Sequence, residues 1–295
     1  LLAVAALAAP AVALALPDFS SHQIVAALNH QRAAYGVPPV RESRKLSAGC
    51  ADHNRYLIRN GASYLLGSFG HFEVPGLPGY TRAGNRAAQT SVLAWGTTLA
   101  WKHGDPWNTA GFHIFQLLNP AIAVTGADER QIDLGAPYGQ ANLECLTTLA
   151  GPYRKGPKQM KVYFVPRSSQ SIAAYTTNTE GQNVFETAPG QSGPPLLFVY
   201  FLGRHASSVQ VRAVHASLGG HSIQIIGAFV GGASGPPGIA QNPSFFASPE
   251  PAAVLTFPAH AYNPAHGTQP LKVSMQVRPS GGAWRTERLS LSVKH

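Results

Sequence analysis

The apolar residues of this chain change period once, and that change sets what it can fold into. In the first part they recur three and four residues apart, as on one face of a helix. Beyond about residue 194 they alternate with polar residues in short runs cut by Gly, Pro and Ser, as in strands. Between the two lies 167–193, rich in Ser, Thr, Gln, Asn and Gly and poor in large apolar side chains, which reads as a linker. A chain of 295 residues is long enough for two domains with cores of their own. The expected boundaries are therefore 17–166 for an N-terminal domain carrying helices, 167–193 for the linker, and 194–295 for an all-β, immunoglobulin-like sandwich.

Within the first part, Ser20 and Ser21 offer an N-cap. Ile24, Leu28, Gln31 and Tyr35 follow at helical spacing until Gly36, Pro38 and Pro39 stop the helix. A second helix starts near Ser43 or Ser47, carries Leu46, Cys50, His53, Leu57 and Ile58, and ends at Asn60 and Gly61. Residues 61–86, rich in Gly, Pro and aromatics, show no period and read as a long loop. A helical stretch through Val92, Leu93, Leu99 and Trp101 comes next, then a short helix ending at Asn119, with strands at 121–125, 143–149 and 161–165. Past the linker, strands are expected at 196–202, 209–214, 223–230, 252–257, 271–277 and 289–293.

Composition closes off several classes. Charged residues make up 12% and apolar residues 44%, which fits neither a disordered polyampholyte nor a coiled coil. Two cysteines are too few for a thiolate zinc module; Cys50 and Cys145 are either bridged or two buried thiols. Residues 1–16 carry no charge and end in the small-x-small pattern Ala13, Leu14, Ala15, as a secretory signal does, so the protein is expected to be secreted or extracytoplasmic. No Met or basic segment precedes Leu1, and the start of the reading frame is expected to lie upstream. The stretch is too short and Ala-rich for a permanent membrane span, and no later segment is apolar enough for one. A net charge of +9 suits anionic partners such as wall polymers or acidic lipids, with nucleic acid not expected, and it equally reads as solubility alone.

The sequence holds no G-x-S-x-G elbow, no H-E-x-x-H helix, no Walker loop and no G-x-G-x-x-G. What remains is a histidine set in the first half, His53, His71 and His113, with Glu73, in a segment dense in Phe, Tyr and Trp. Two helix-borne imidazoles, His53 and His113, are candidate ligands for zinc or another divalent ion, weakly bound, and Glu73 is the candidate general base. Each histidine equally reads as a hydrogen-bonded core residue. The histidines beyond residue 200 share no spacing and are assigned no chemistry.

Order and spacing then bring a resemblance. The run Ile24, Leu28, Asn29, Arg32, Gly36, Pro39, Val40, followed by His53, by His71, Phe72 and Glu73, by Gly79, Tyr80 and Gly84, and by Trp107, Ala110, Phe112, His113 and Pro120, resembles the CAP superfamily in its bacterial SCP-like form. That is the family of cysteine-rich secretory, antigen 5 and pathogenesis-related proteins, and the likeness covers residues 20–166. It implies an α+β domain, an α-β-α sandwich with a cleft whose floor carries two histidines and two acidic residues able to bind a divalent ion. On that likeness His53 and His113 are the cleft histidines, and His71, Glu73 and Trp107 line the cleft. Where many members have G-E-N, this chain has Gly84, Asn85, Arg86, and Glu73 is the substitute carboxylate.

The expected function is that of a secreted CAP-domain protein whose His-lined cleft binds an envelope-associated ligand, a lipid, wall polymer or divalent ion, with a β-sandwich accessory module. The alternatives are a metal-dependent hydrolase acting on wall peptide, glycan or phosphodiester, and a non-catalytic structural surface protein. Binding is favoured over catalysis because no activated nucleophile or oxyanion site is legible.

Overall fold

A computed structural model describes residues 20–61, 70–96, 111–133, 139–173, 176–177, 192–193, 196–204, 207–235, 240–241, 248–258, 261–262 and 267–294. The expected signal segment 1–16, Trp101, Trp107 and most of the 167–193 linker lie outside the described residues.

The first part contains α1 (Ser21–Ala34), β1 (Arg41–Glu42), α2 (Arg44–Asn60), α3 (Arg82–Thr90), β2 (Ser91–Gly96), α4 (Gly111–Leu117), β3 (Val124–Thr125), β4 (Ala127–Asp133) and β5 (Gln140–Thr147). The two long helices start where their caps predict. Ser20 and Gln23 close a capping box on α1, and the Ser43 hydroxyl accepts from Leu46 N–H on α2. β2, β5 and β4 form an antiparallel three-stranded sheet in that order.

Every residue of β5 after Gln140 is buried, and alternation decides what each meets. Leu143 and Cys145 face α2 and α3, joining Tyr56, Leu57, Cys50 and Ala87. Leu146 faces the other way, with Ile24, Val25 and Leu28 of α1 and Leu117 of α4. Helices thus cover both faces of this sheet. The disulfide Cys50–Cys145 joins α2 to β5 and settles the state of the two cysteines.

The second part runs through β6 (Lys161–Val165), β7 (Ser171–Ala173), β8 (Thr176–Thr177), β9 (Ser192–Gly193), β10 (Leu197–Leu202), β11 (Val209–Leu218), β12 (His221–Ile223), β13 (Ile226–Val230), β14 (Ala233–Ser234), β15 (Ala240–Gln241), β16 (Ala252–Thr256), β17 (Gln269–Pro279) and β18 (Arg285–Lys294). Two open sheets result, β15-β13-β16-β10-β6 and β12-β11-β17-β18-β7, with β14 beside β11. They share one core. Val199, Phe201 and Phe229 enter it from the five-stranded sheet, and Val211, Met275 and Leu291 from the six-stranded one.

The chain is therefore mixed α+β and strand-rich, with differences from the sequence reading that have physical causes. Ser91–Gly96 is a strand where a helix is expected, because its apolar run is short and sits beside β5 with both faces covered. β4, with the sequence ADERQID, carries too much charge to announce itself as a strand, and α3 is too polar and small to announce itself as a helix. Lys161–Val165 pairs with β10, and Ser171–Ala173 pairs with β18, so the pairing partner changes before the composition does.

The largest difference concerns how the two parts join. β10, with the sequence LFVYFL, is buried at every position. Its Leu197, Val199 and Phe201 point into the inter-sheet core, while Phe198 and Tyr200 pack with Phe115 and Leu118 of the α4 region and with Val37. The Tyr200 hydroxyl donates to the Phe115 carbonyl at 2.6 Å, and the two rings stack with centroids 5.3 Å apart. A strand buried on both faces reads as an unbroken apolar run, and here the second face is the junction. The parts share a packed interface, where the sequence suggested a flexible connection. Among the described residues no helix is long and apolar enough to cross a membrane.

Candidate functional site

The candidate residues come from three separate elements. His53 lies on α2, one turn before Tyr56 and fully buried, with the two rings stacked 6.4 Å apart. Glu73 lies in the segment leading to α3. The fold fixes that segment from several sides. Glu73 N–H donates to Asn85 Oδ1 at 2.9 Å, Val74 N–H donates to the Tyr56 hydroxyl at 2.9 Å, and Asn60 Nδ2 donates to the Pro78 carbonyl at 2.9 Å.

The segment delivers the Glu73 carboxylate to the start of α3. Its Oε2 accepts from Thr81 N–H at 2.9 Å, and Thr81 in turn caps the helix by accepting from Gly84 N–H at 2.8 Å. The other oxygen, Oε1, lies 3.2 Å from His53 Nδ1. His53 Nε2 lies 2.8 Å from the Gly70 carbonyl, an acceptor only, so Nε2 carries a proton and donates it there. One further proton sits between Nδ1 and Oε1, since two lone pairs facing each other would repel. Both side chains are sealed from solvent.

Sequence reasoning places His53 and Glu73 as candidates, and the structure brings them together as a closed pair. The expected roles do not fit that arrangement. His53 has both ring nitrogens engaged and presents no lone pair to a metal, so His53 with His113 does not make a zinc site as built. Glu73 has both oxygens engaged and no access to water, which does not suit a general base. Among the described residues no three His, Cys, Asp or Glu side chains group closely enough to hold a metal ion.

Gly84 makes the closed pair possible. A Cβ there would stand 2.2 Å from Glu73 Oε1 and 3.0 Å from Thr81 Oγ1. Gly84→Ala is therefore expected to lower stability by about 2 kcal/mol, through overpacking that outweighs the gain in helix propensity. Urea unfolding of a double-mutant cycle checks the cause: in a Glu73→Ala background the same substitution should lose most of its effect.

His71 and His113 are placed differently. His71 is exposed, and its Nδ1 donates to the Ala88 carbonyl at 3.1 Å, which fixes the tautomer and leaves Nε2 as the acceptor when the ring is neutral. Its pKa is pushed below the usual histidine value of 6.5 by burial of part of the ring, with the Ala88 hydrogen bond acting the other way and the fields of His113 and then His53 pushing it further down. His71 thus lies within electrostatic reach of both other imidazoles. His113 is half-buried on α4, a helix held between two cores, with Ile114 and Leu117 on the α1 side and Phe115 and Leu118 on the β10 side.

Two further acidic residues escape the sequence reading. Glu129 of β4 and Glu144 of β5 stand opposite each other in the ladder, each 1% exposed, on the sheet face that α1 and α4 cover. Their signal is the alternation in β5, where Glu144 shares the parity of the core residue Leu146. Charge in a short segment masks it. Trp107 lies outside the described residues. No family model and no curated protein sequence matches the chain.

Proposed function

We propose that this is an exported binding protein of CAP type, in which an imidazole cluster at the mouth of a cleft, His71 and His113, takes up an envelope-associated ligand, a lipid or wall polymer. The observation that carries this reading is the division of labour within the cluster. His71 is exposed and His113 half-buried, whereas His53 and Glu73 are sealed from solvent close by. A cleft whose nearest carboxylate is locked away suits recognition better than water activation. Helices on both faces of the β2-β5-β4 sheet accord with the CAP resemblance of residues 20–166. The buried Cys50–Cys145 bridge accords with an oxidising compartment.

The test is co-sedimentation with isolated bacterial cell-wall sacculi and with liposomes, alongside a turnover assay on wall fragments. His71→Ala and His113→Ala are expected to weaken retention on one of the two by about tenfold, the loss of roughly one charge-neutral hydrogen bond each, with unfolding unchanged. Because the His71 pKa lies below 6.5, its ring is neutral at pH 7. Binding through the Nε2 acceptor should then be flat above pH 6.5 and fall only as the pH drops through the depressed value. Turnover that is abolished by Glu73→Gln would overturn the reading in favour of a hydrolase.

A further inference from the structure

The outer face of the six-stranded sheet is chemically uniform in a way that the cleft reading does not use. Alternation with the core residues Val211, Val273, Leu289 and Leu291 turns Arg212, Lys272, Arg278, Arg288 and Lys294 to this face. No carboxylate among the described residues joins them. Glu287, on β18, has the opposite parity and pairs with Arg285 at 2.7 Å. The cations are interleaved with neutral hydrogen-bonding groups. Lys272 stands opposite Ser217 and Ser290, Arg288 opposite Ser274, Arg212 opposite Gln276, and Arg278 opposite Gln210. Like charges never face each other directly, which lowers the cost of assembling them.

Two of the guanidinium groups are held in place. Arg212 Nε donates to Gln276 Oε1 at 2.8 Å and Arg278 Nε to Gln210 Oε1 at 3.1 Å. Both then lie against the Trp284 ring, 4.0 Å and 4.8 Å from its centroid. Trp284 also lines a cavity of about 440 Å³ at the β17–β18 turn, beside Lys158, Met160, Pro279 and Arg285. That volume falls in the range of small-ligand sites, roughly 300–1,000 Å³.

We propose that this face and the adjoining cavity bind an anionic polysaccharide, with its acidic groups on the arginines and lysines, its hydroxyls on the Ser and Gln side chains between them, and a sugar unit in the Trp284 cavity. Charge complementarity selects a polyanion, and the rest of the face narrows its class. A membrane surface would need an apolar anchor, yet Tyr153 is the only large exposed hydrophobic among the described residues, and it lies far along the chain from these strands, paired with Ile122. A single-stranded nucleic acid would need open aromatic platforms, whereas the indole on this face already carries two guanidinium groups. Alternating cations and hydroxyl or amide groups match a chain of charged sugars.

The experiment titrates the full chain with heparin and polygalacturonate oligosaccharides, with phosphatidylglycerol vesicles and with a short single-stranded oligonucleotide as comparison arms. The oligosaccharides should bind more tightly than either comparison arm, and the affinity should fall roughly 100-fold between 50 and 200 mM salt, as release of condensed counterions from four or five contacts requires. Lys272→Ser, Arg288→Ser and Lys294→Ser together, all exposed and removed from the core, should weaken oligosaccharide binding by about tenfold or more. Removing three exposed cations elsewhere, Arg41→Ser, Lys45→Ser and Arg82→Ser, should change it less than about twofold. Trp284→Leu should weaken it while the salt slope stays the same. Equal losses in the two triple variants would reduce the effect to net charge and overturn the proposal, as would tighter binding of the vesicles or the oligonucleotide. The result is independent of His71 and His113, so failure here and failure of the cleft reading are distinguishable.

Discussion

Arg32→Met is expected to lower folding stability by about 3–5 kcal/mol, the range for removing one partner of a buried charged network. Arg32 lies at i+4 from Leu28 on α1, and its side chain is fully buried. Nε donates to the Pro38 carbonyl at 2.8 Å, Nη2 to the Asn119 carbonyl at 3.0 Å, and Nη1 to the Leu117 carbonyl. Two of these acceptors end α4, where the helix dipole favours a cation. A methionine would fill much of the volume and strip the Pro38 and Leu117 carbonyls of this donor, each costing roughly 1–3 kcal/mol, while the Asn119 carbonyl keeps the Ile122 N–H at 3.3 Å. Arg32→Lys should recover only part, because an ammonium cannot reach three acceptors with the span of a planar fork.

Burial lowers the Arg32 pKa to about 10, with the Tyr200 phenol pushing it up and Arg154 slightly down. The group therefore stays charged at neutral pH in both states. Since the folded value lies below the ordinary arginine value, the unfolded chain binds more protons above about pH 10. The cost of desolvating the charge is fully present below pH 10 and is relieved only above it. Urea unfolding at pH 7 measures the whole effect of the substitution. A loss below about 1 kcal/mol would mean that water reaches the Pro38 and Leu117 carbonyls. Because Arg32 clamps the end of α4, amide exchange at Leu118 should quicken in the same variant.

Replacing both Cys50 and Cys145 with alanine is expected to cost about 5 kcal/mol. The bridge closes a loop with a sequence separation of 95, and a loop of that length restricts the unfolded chain by an amount close to the upper end of the usual range, about 4.7 kcal/mol for 100 residues. Truncating two buried side chains beside Ala87 and Leu93 adds a smaller packing term. The denaturant midpoint should fall while the slope rises, because a chain released from the cross-link exposes more surface on unfolding. Both sulfurs belong to fully buried residues, so mild reductant should leave the native wild type unchanged and act only once denaturant opens it. A midpoint unaffected by the double substitution would show that α2 and β5 stay together in the denatured chain.

The parts of this fold that were legible beforehand are those in which a local signal and a tertiary need coincide. α1 and α2 announced themselves through caps and apolar spacing, and the strands from β10 onward through alternation and turn residues. β4 and α3 did not, because β4 carries charge at four of its seven positions and α3 is built of small and polar residues, so neither shows a broad apolar stripe. The candidate site divides in the same manner. His53, His71, Glu73 and His113 stood out by residue type and order, but which of them are sealed and which reach solvent is set by Gly70, Thr81, Gly84 and Ala88, residues without chemistry of their own.

By itself the sequence determined that helices come first and strands follow, that one basic chain carries both, and that the candidate histidines His53, His71 and His113 fall within one stretch of about sixty residues. Those properties depend on side chains within a turn or two of one another. Tertiary structure alone decided that the two parts share a packed face through Phe198 and Tyr200, that Cys50 meets Cys145, and that the cations of β11, β17 and β18 converge on a surface with no carboxylate among the described residues. Each of these brings together residues far apart in the chain, and their energies arise only when distant surfaces exclude water from between them or turn the same face toward it.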